Sequence, residues 1–383
     1  VDMYAKCGEL RKAQEVFDEL SERNVISWNA LIAGYAQQKR SDECLKCFRQ
    51  MQAEGHLPDA ATFICILKVC GSIESLNLGE EIYADISKRR LLEKDVVLGI
   101  ALVDMFVKCG AMGKALEIFD VLPIQNVESW NAIIAGYAEQ GLIDEALKYF
   151  RKMQDKGMLP NAVTYVCIFK ACGIMGSLKI GEEMHSEVLK QGLLEENVSL
   201  GTAVVDMYAK CGVIEKAQEV FDELPIHCLA SWTALMSANA QLGKAKRVLY
   251  LFTKMMAEGI MPDLVSFLVL LTSCNHAGLV EEGQMVFFGM DTTYSLGPTL
   301  DHYTCFVDLC SRAGQFYNAV LVIGMLPPSD CLPLWLTLLG NCYKWVNVEL
   351  GRWAFEQSIL LDKNRDTAYV CMRNLYAATG KRS

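Results

Sequence analysis

One string recurs in this chain at a fixed distance, and that spacing constrains the fold more than any other feature. Ser27-Trp28-Asn29-Ala30-Leu31-Ile32-Ala33-Gly34-Tyr35 returns as Ser129-Trp130-Asn131-Ala132-Ile133-Ile134-Ala135-Gly136-Tyr137 and again as Ser231-Trp232-Thr233-Ala234-Leu235-Met236. Each copy is followed by a closing Pro-Asp or Pro-Asn pair at Pro58-Asp59, Pro160-Asn161 and Pro262-Asp263. The tryptophans at 28, 130 and 232 fall 102 residues apart. A fixed period of this kind marks a solenoid or an array of stacked units. It overrides the two or three globular domains that 383 residues would suggest, because each unit of such an array contacts only its neighbours.

Helix-start and helix-stop signals divide every 102-residue block into three helix pairs. The expected units are 25–59, 60–95 and 96–126, then 127–161, 162–197 and 198–228, then 229–263, 264–299 and 300–331. Residues 1–24 read as the tail of a short unit. Within 127–161, Trp130, Ile133, Ile134 and Tyr137 form one helical stripe, and Ile143, Ala146, Leu147, Phe150 and Met153 form a second. Gly141 marks the turn between them, and Gly157 and Pro160 end the pair. Two short amphipathic helices cannot bury their apolar faces alone, so the pairs must stack into an all-α solenoid. Residues 332–365 and 366–383 still read as helices, with a changed surface.

The composition fits a continuous core, with 52% apolar residues and only 9 prolines. A net charge of −10 argues against bulk positive charge as a grip on nucleic acid, although a basic stripe on one face remains open. Cys7, Cys109 and Cys211 recur one period apart, as do Cys70, Cys172 and Cys274. They read as small apolar packing residues in a reducing compartment, not as a disulfide framework. The longest uncharged run, Leu264 to Val280, contains Asn275 and His276 and is too short and too polar to span a membrane. The chain opens inside a unit and is expected to be a piece of a longer protein.

At these residues the chain resembles the pentatricopeptide repeat family, and more narrowly its plant PLS subclass, whose units of about 35, 35–36 and 31 residues alternate. Val-Asp-Met-Tyr-Ala-Lys-Cys-Gly at 1–8 and 205–212, with the variant at 103–110, resembles the short unit of that subclass. The segment Cys274 to Gly283 resembles its last long unit, and His302 to Gly314 its last short one. Residues 332–365 and 366–383 resemble the E motifs that follow, the second one truncated. The resemblance implies a right-handed superhelix of helix-turn-helix repeats that binds single-stranded RNA at one base per repeat, without catalysis or cofactor of its own. It also implies a mitochondrial or chloroplast setting and a role in cytidine-to-uridine editing, with a deaminase domain or editing cofactor as partner.

In that family the fifth and last residues of a unit choose the base. The resemblance therefore assigns Asn29 with Asp59 to uracil, Asn131 with Asn161 to a pyrimidine, and Thr233 with Asp263 to guanine. Thr202 with Cys228 and Ile100 with Asn126 depart from the family pattern. Thr304 with Asp330 suggests guanine, in a unit one residue shorter than that pattern. Ile64, Val166 and Leu268 hold the fifth position of the long units and cannot make a hydrogen-bonded readout. Helix capping alone also accounts for Asp59, Asn161 and Asp263. It does not account for polar residues at 29, 131 and 233 beside the tryptophan of an apolar helix.

Lys6, Lys108, Lys210 and Arg312 repeat every 102 residues near a helix end, either tracking phosphates or complementing the helix dipole. Trp28, Trp130, Trp232 and Trp335 read as core rather than as stacking platforms. His185-Ser186-Glu187 matches half of a zinc-deaminase signature, but no Cys-x-x-Cys follows it. Cys44-Leu45-Lys46-Cys47 sits mid-helix without a second ligand pair, so no metal site is expected. Two readings compete with editing. One is stabilisation, splicing or translation of an organellar transcript. The other, of a different class, is a protein-binding scaffold like a tetratricopeptide array, which the unequal unit lengths disfavour because such arrays keep a 34-residue period.

Overall fold

The structure, a computed structural model, describes residues 1–93, 95–363, 365–378 and 380. Position 94 of the unit 60–95, position 364 of the unit 332–365, and positions 379 and 381–383 of the truncated E-like motif lie outside the described residues. Among the described residues every regular element is a helix. The chain forms two compact units, Val1–Leu193 and Leu194–Ser383, and each is an α-solenoid of antiparallel hairpins.

In the first unit the leading helices of successive hairpins are Val25–Gln37, Ala60–Ser72, Val96–Lys108, Val127–Glu139 and Ala162–Met175. Each packs on the next in that order. Their partners are Ser41–Ala53, Leu76–Lys88, Met112–Val121, Ile143–Asp155 and Leu178–Lys190. Each partner packs against the leading helix of its own hairpin, and the first four also reach the leading helix that follows. The second unit repeats this with leading helices Val198–Lys210, Leu229–Gln241, Leu264–Ala277, Leu300–Arg312 and Leu332–Trp345, closed by Asp366–Ala378.

Why the leading helices sit so close is legible in their small residues. A Cβ at Gly136 would stand 2.6 Å from Val107 Cγ1 on the neighbouring helix, so only glycine permits this approach. The apolar stripe of each leading helix fills the space behind it. Trp28, Trp130 and Trp232 are buried. They meet Phe17, Phe119 and Phe221 edge-on, with ring centroids 4.5, 4.8 and 4.6 Å apart. The tryptophans are therefore core, and Trp335 likewise packs edge-on against Trp353 at 4.8 Å.

Candidate nucleic-acid interface

The closing Pro-Asp and Pro-Asn pairs prepare the site. Proline cannot continue a helix, and the residue after it takes an extended conformation, with φ −102° and ψ −176° at Asp59. That conformation suits a helix N-cap. Asp59 Oδ1 accepts the Thr62 N–H at 2.9 Å, and Thr62 Oγ1 accepts the Asp59 N–H at 3.2 Å, which makes a reciprocal capping box. Capping is thus one duty of Asp59. Asn161 makes the same capping box before Ala162–Met175, and Asp263 caps Leu264–Ala277 by accepting the Ser266 N–H.

Stacking brings the fifth residue of the preceding leading helix onto this cap. Asn29 Nδ2 donates to Asp59 Oδ1 at 2.9 Å, while the Thr62 hydroxyl donates to Asn29 Oδ1 at 2.6 Å. The amide is held at both ends. Among the described residues one Nδ2 hydrogen and one Oδ1 lone pair of Asn29 take part in no further hydrogen bond. Burial alone would push the Asp59 carboxyl up. Hydrogen bonds from the Thr62 N–H, the Asn29 amide and the Ala61 N–H outweigh it and hold the carboxyl below its ordinary value.

The second block repeats the arrangement with an amide as the cap. Asn131 Nδ2 donates to Asn161 Oδ1 at 3.1 Å, and the Thr164 hydroxyl donates to Asn131 Oδ1 at 2.6 Å. Here the outward group of the last residue is an N–H₂ donor instead of a carboxylate oxygen. The third block differs. The Thr233 hydroxyl donates to the Leu229 carbonyl of its own helix at 2.8 Å and lies 3.4 Å from Ser266 Oγ. Ser266 in turn donates to Asp263 Oδ1 at 2.7 Å. Thr233 and Asp263 are therefore joined only through Ser266. With its one proton committed to Leu229, Thr233 shows an outside partner lone pairs alone.

The remaining positions are less uniform. Thr202 donates to the Val198 carbonyl at 2.8 Å and lies 3.3 Å from Cys228 Sγ. Burial pushes the Cys228 thiol up, but the adjacent Thr202 side chain and the Ser231 and Ala230 N–H groups together bring it below its ordinary value. Asn126 caps Val127–Glu139 by accepting the Ser129 N–H at 3.0 Å. The structure does not bring Thr304 and Asp330 together. Thr304 bonds the Leu300 carbonyl at 2.8 Å, and Asp330 lies in the 3-10 turn Pro328–Asp330. The N-cap position before Leu332–Trp345, where Asp59 and Asp263 sit elsewhere, belongs to Cys331.

The basic stripe is a stripe of ion pairs. Lys6, Lys108 and Lys210 meet Asp2, Asp104 and Asp206 at 2.8, 2.8 and 2.7 Å, each one helical turn earlier. Arg312 is held more loosely by Asp308 at 3.7 Å, because Asp308 also accepts from Asn275 and Asn341 at 2.7 Å each. The spacing of the cations alone does not reveal these aspartates, although they repeat at the same 102-residue interval.

Two further sets of residues are missed by sequence reasoning. Thr62, Thr164 and Ser266 are fully buried hydroxyls, and their signal is a Thr or Ser three residues after each closing Asp or Asn. Ile26, Val97, Val163 and Val265 are apolar yet exposed, Ile26 by 78%. Each lies three residues before the fifth position of its unit, on the same helix face. An apolar residue outside the buried stripe is the available signal.

Comparison with known proteins agrees with this geometry. Family profiles described as PPR repeat family match residues 23–72 and 125–173. A pentatricopeptide repeat domain profile matches 229–276, and a PPR repeat profile matches 1–25 and 202–227. A mitochondrial pentatricopeptide repeat-containing protein of Arabidopsis thaliana is 33% identical over 99% of this chain and 68% of its own length. The chain belongs to the pentatricopeptide repeat family. A chloroplastic pentatricopeptide repeat-containing protein of the same plant is 36% identical over 100% of the chain, which spans only 50% of that relative. Another Arabidopsis pentatricopeptide repeat-containing protein is 36% identical, and the chain spans 39% of it. The pentatricopeptide repeat protein PPR10, solved in complex with an 18-nt psaJ RNA element, matches with a TM-score of 0.71 at 17% identity. That match covers 99% of this chain and 57% of PPR10, and it shows the shared solenoid fold.

Two features of this pentatricopeptide repeat chain are structural. Cys44 and Cys47 are buried, and burial pushes their thiols up to about 12 and about 11. Glu187 accepts the Tyr165 hydroxyl at 2.9 Å within the packed hairpin. Among the described residues no group of three or more His, Cys, Asp or Glu could hold a metal ion, and no helix is long and apolar enough to cross a membrane.

Proposed function

We propose that this chain binds single-stranded RNA at one base per repeat, with the fifth and last residues of the units reading base edges. The observation that carries this reading is the doubly held Asn29 amide, whose free donor and acceptor are fixed in place before any ligand arrives. Uracil offers one N–H between two carbonyl oxygens, which complements an amide N–H, an amide oxygen and the Asp59 carboxylate. Guanine offers two neighbouring donors, N1–H and N2–H₂. Lone pairs on Thr233 and the carboxylate of Asp263 are two acceptors suited to that edge. Asn131 with Asn161 takes a pyrimidine, Thr202 and Thr304 supply hydroxyls in the short units, and Asn126 closes its unit. Ile26, Val97, Val163 and Val265 give the flat faces of the bases an apolar surface to lie against.

Lys6, Lys108, Lys210 and Arg312 contact phosphates by exchanging their aspartate partners for the RNA backbone. Such an exchange releases fewer counterions than free cations would and predicts a shallow salt dependence. Within this reading the chain is of the PLS type with E-like motifs at 332–365 and 366–383. It serves as the site-recognition part of an organellar cytidine-to-uridine editing factor in a mitochondrion or chloroplast, with a deaminase domain or editing cofactor as protein partner. The names of the mitochondrial and chloroplastic relatives support the compartment.

The test of RNA reading is a gel shift with single-stranded RNA in which the base opposite Asn29 and Asp59 is varied. Uracil is expected to bind tightest, and indifference to that base rejects the reading. The editing role is tested by sequencing organellar transcripts from a plant lacking the gene. Loss of conversion at a single cytidine supports it, whereas loss of a transcript or an intron-containing precursor points to stabilisation or splicing.

A further inference from the structure

The third block breaks its own periodicity at one place away from the fifth-position row. Asp42 and Glu43, then Asp144 and Glu145, occupy the first turn of the second helix in the first two blocks. One period later these positions hold Lys246 and Arg247, at the start of Ala245–Ala257, and the residue before the helix is Lys244. Carboxylates suit a helix N-terminus and cations oppose it. None of the three cations has a carboxylate partner among the described residues, although the Arg247 guanidinium lies over the Tyr250 ring, 4.9 Å from its centroid. Arg247 Nη2 instead donates to Gln218 Oε1 at 3.1 Å.

A second substitution opens a space beside them. Tyr35 and Tyr137 fill the corresponding position in the first two blocks, and Tyr35 donates to Gln14 Oε1 at 3.0 Å. The third block has the short Asn239 there, and Arg247 takes the glutamine two periods on from Gln14. The result is an open cleft of about 860 Å³, with Asn239, Lys244, Lys246, Arg247 and Gln218 on its wall and Glu215 as its one carboxylate. Asn239 is only 3% exposed. Its Nδ2 donates to the Leu235 carbonyl at 2.8 Å. Asn239 lines the cleft, and no hydrogen bond to its amide oxygen is found among the described residues. The helix N-terminus also carries no side-chain cap.

We infer that this cleft binds the phosphate of a nucleotide. Lys244, Lys246, Arg247 and the uncapped helix N-terminus hold the phosphate, and the Asn239 oxygen accepts from a ribose hydroxyl or base amine of the same nucleotide. Glu215 limits the charge the cleft accepts. The ligand is either a free mononucleotide or one nucleotide of an RNA strand, and both share this chemistry. The inference goes beyond the base-reading row and does not depend on it.

The test compares the full chain with Lys246→Asp/Arg247→Glu and with Asn239→Leu. The double variant restores residue types that the first two blocks tolerate at the same positions, so folding is checked simply by helical circular dichroism and a urea midpoint. Calorimetric titrations use adenosine 5′-monophosphate and sodium phosphate, and fluorescence anisotropy uses a short single-stranded RNA at several salt concentrations. A free nucleotide as ligand predicts that adenosine monophosphate affinity falls tenfold or more in the double variant. It also falls in Asn239→Leu, which leaves phosphate affinity unchanged. An RNA nucleotide predicts no such mononucleotide binding. Instead RNA affinity falls tenfold, with a salt slope shallower by about 0.7 for each phosphate no longer neutralised. Unchanged affinity of the double variant for all three probes overturns the inference. The mononucleotide arm reports on the cleft even if the base-reading row proves wrong.

Discussion

The Asn29 site in the first unit and the Thr233 site in the second share a cap, a buried hydroxyl and a fifth-position polar group, yet they are wired differently. Asn29 is bonded directly to its cap and to Thr62, so cap, hydroxyl and amide form one closed set. Thr233 leans on the Leu229 carbonyl of its own helix and touches the set only through Ser266. A side chain long enough to reach the next repeat is oriented by that repeat, whereas a short one is oriented by its own backbone. The donor and acceptor pattern offered to a ligand follows from this difference.

The largest effect should come from removing the amide. Asn29→Ala is expected to cost about 1–3 kcal/mol of binding to RNA carrying the coded uracil and to abolish the preference at that base only. Competition anisotropy with the four base variants measures it. Retention of the preference would show that the amide does not read.

Next comes conversion of one site into the other. Thr233→Asn gives a side chain able to reach Asp263 directly, and preference at that base should move from guanine toward uracil. Adding Ser266→Thr should sharpen the change, since Thr62 and Thr164 serve the two asparagines. Preference unchanged in both variants rejects the role given to Thr233.

Stability should separate the sites more modestly. Thr62→Val keeps the shape but removes the hydroxyl that holds Asn29 and completes the capping box, at a cost of about 1 kcal/mol. Ser266→Ala should cost less, because Thr233 keeps its Leu229 bond. Urea denaturation of the two variants against the parent gives the order.

The smallest effect is one of pH. The Asp59 carboxyl is depressed in the folded chain, so its stabilising contribution is complete above the ordinary carboxylate range near pH 4. It is lost as pH falls through the lower folded value. Asp59→Asn should therefore differ from the parent at neutral pH and converge with it in acid. A matching Asn161→Asp variant should acquire acid sensitivity that the native Asn161 lacks.

Much of the fold was legible because its signals are local. Tryptophan, glycine and proline recur at fixed offsets, and each Pro-Asp or Pro-Asn pair marks a cap that the structure shows capping. The buried role of Trp28, Trp130 and Trp232 followed from their place in an apolar stripe. The site was less legible because its bonds cross between hairpins. Thr62 meets Asn29 from 33 residues away, and only the stacking geometry reveals it. The pairing of Lys6 with Asp2 is local, but a search for cations alone does not see it. The hairpin at 300–331 ends on Cys331 at the cap position, one residue beyond the Asp330 that the spacing of the other short units gives.

The most direct test is to exchange the two sites in one full-length chain, Asn29→Thr with Thr233→Asn, and to select its preferred RNA from a random single-stranded pool. The selected uracil and guanine should trade places while the other selected bases stay as they are in the parent. A selected sequence identical to that of the parent would contradict base reading by these side chains.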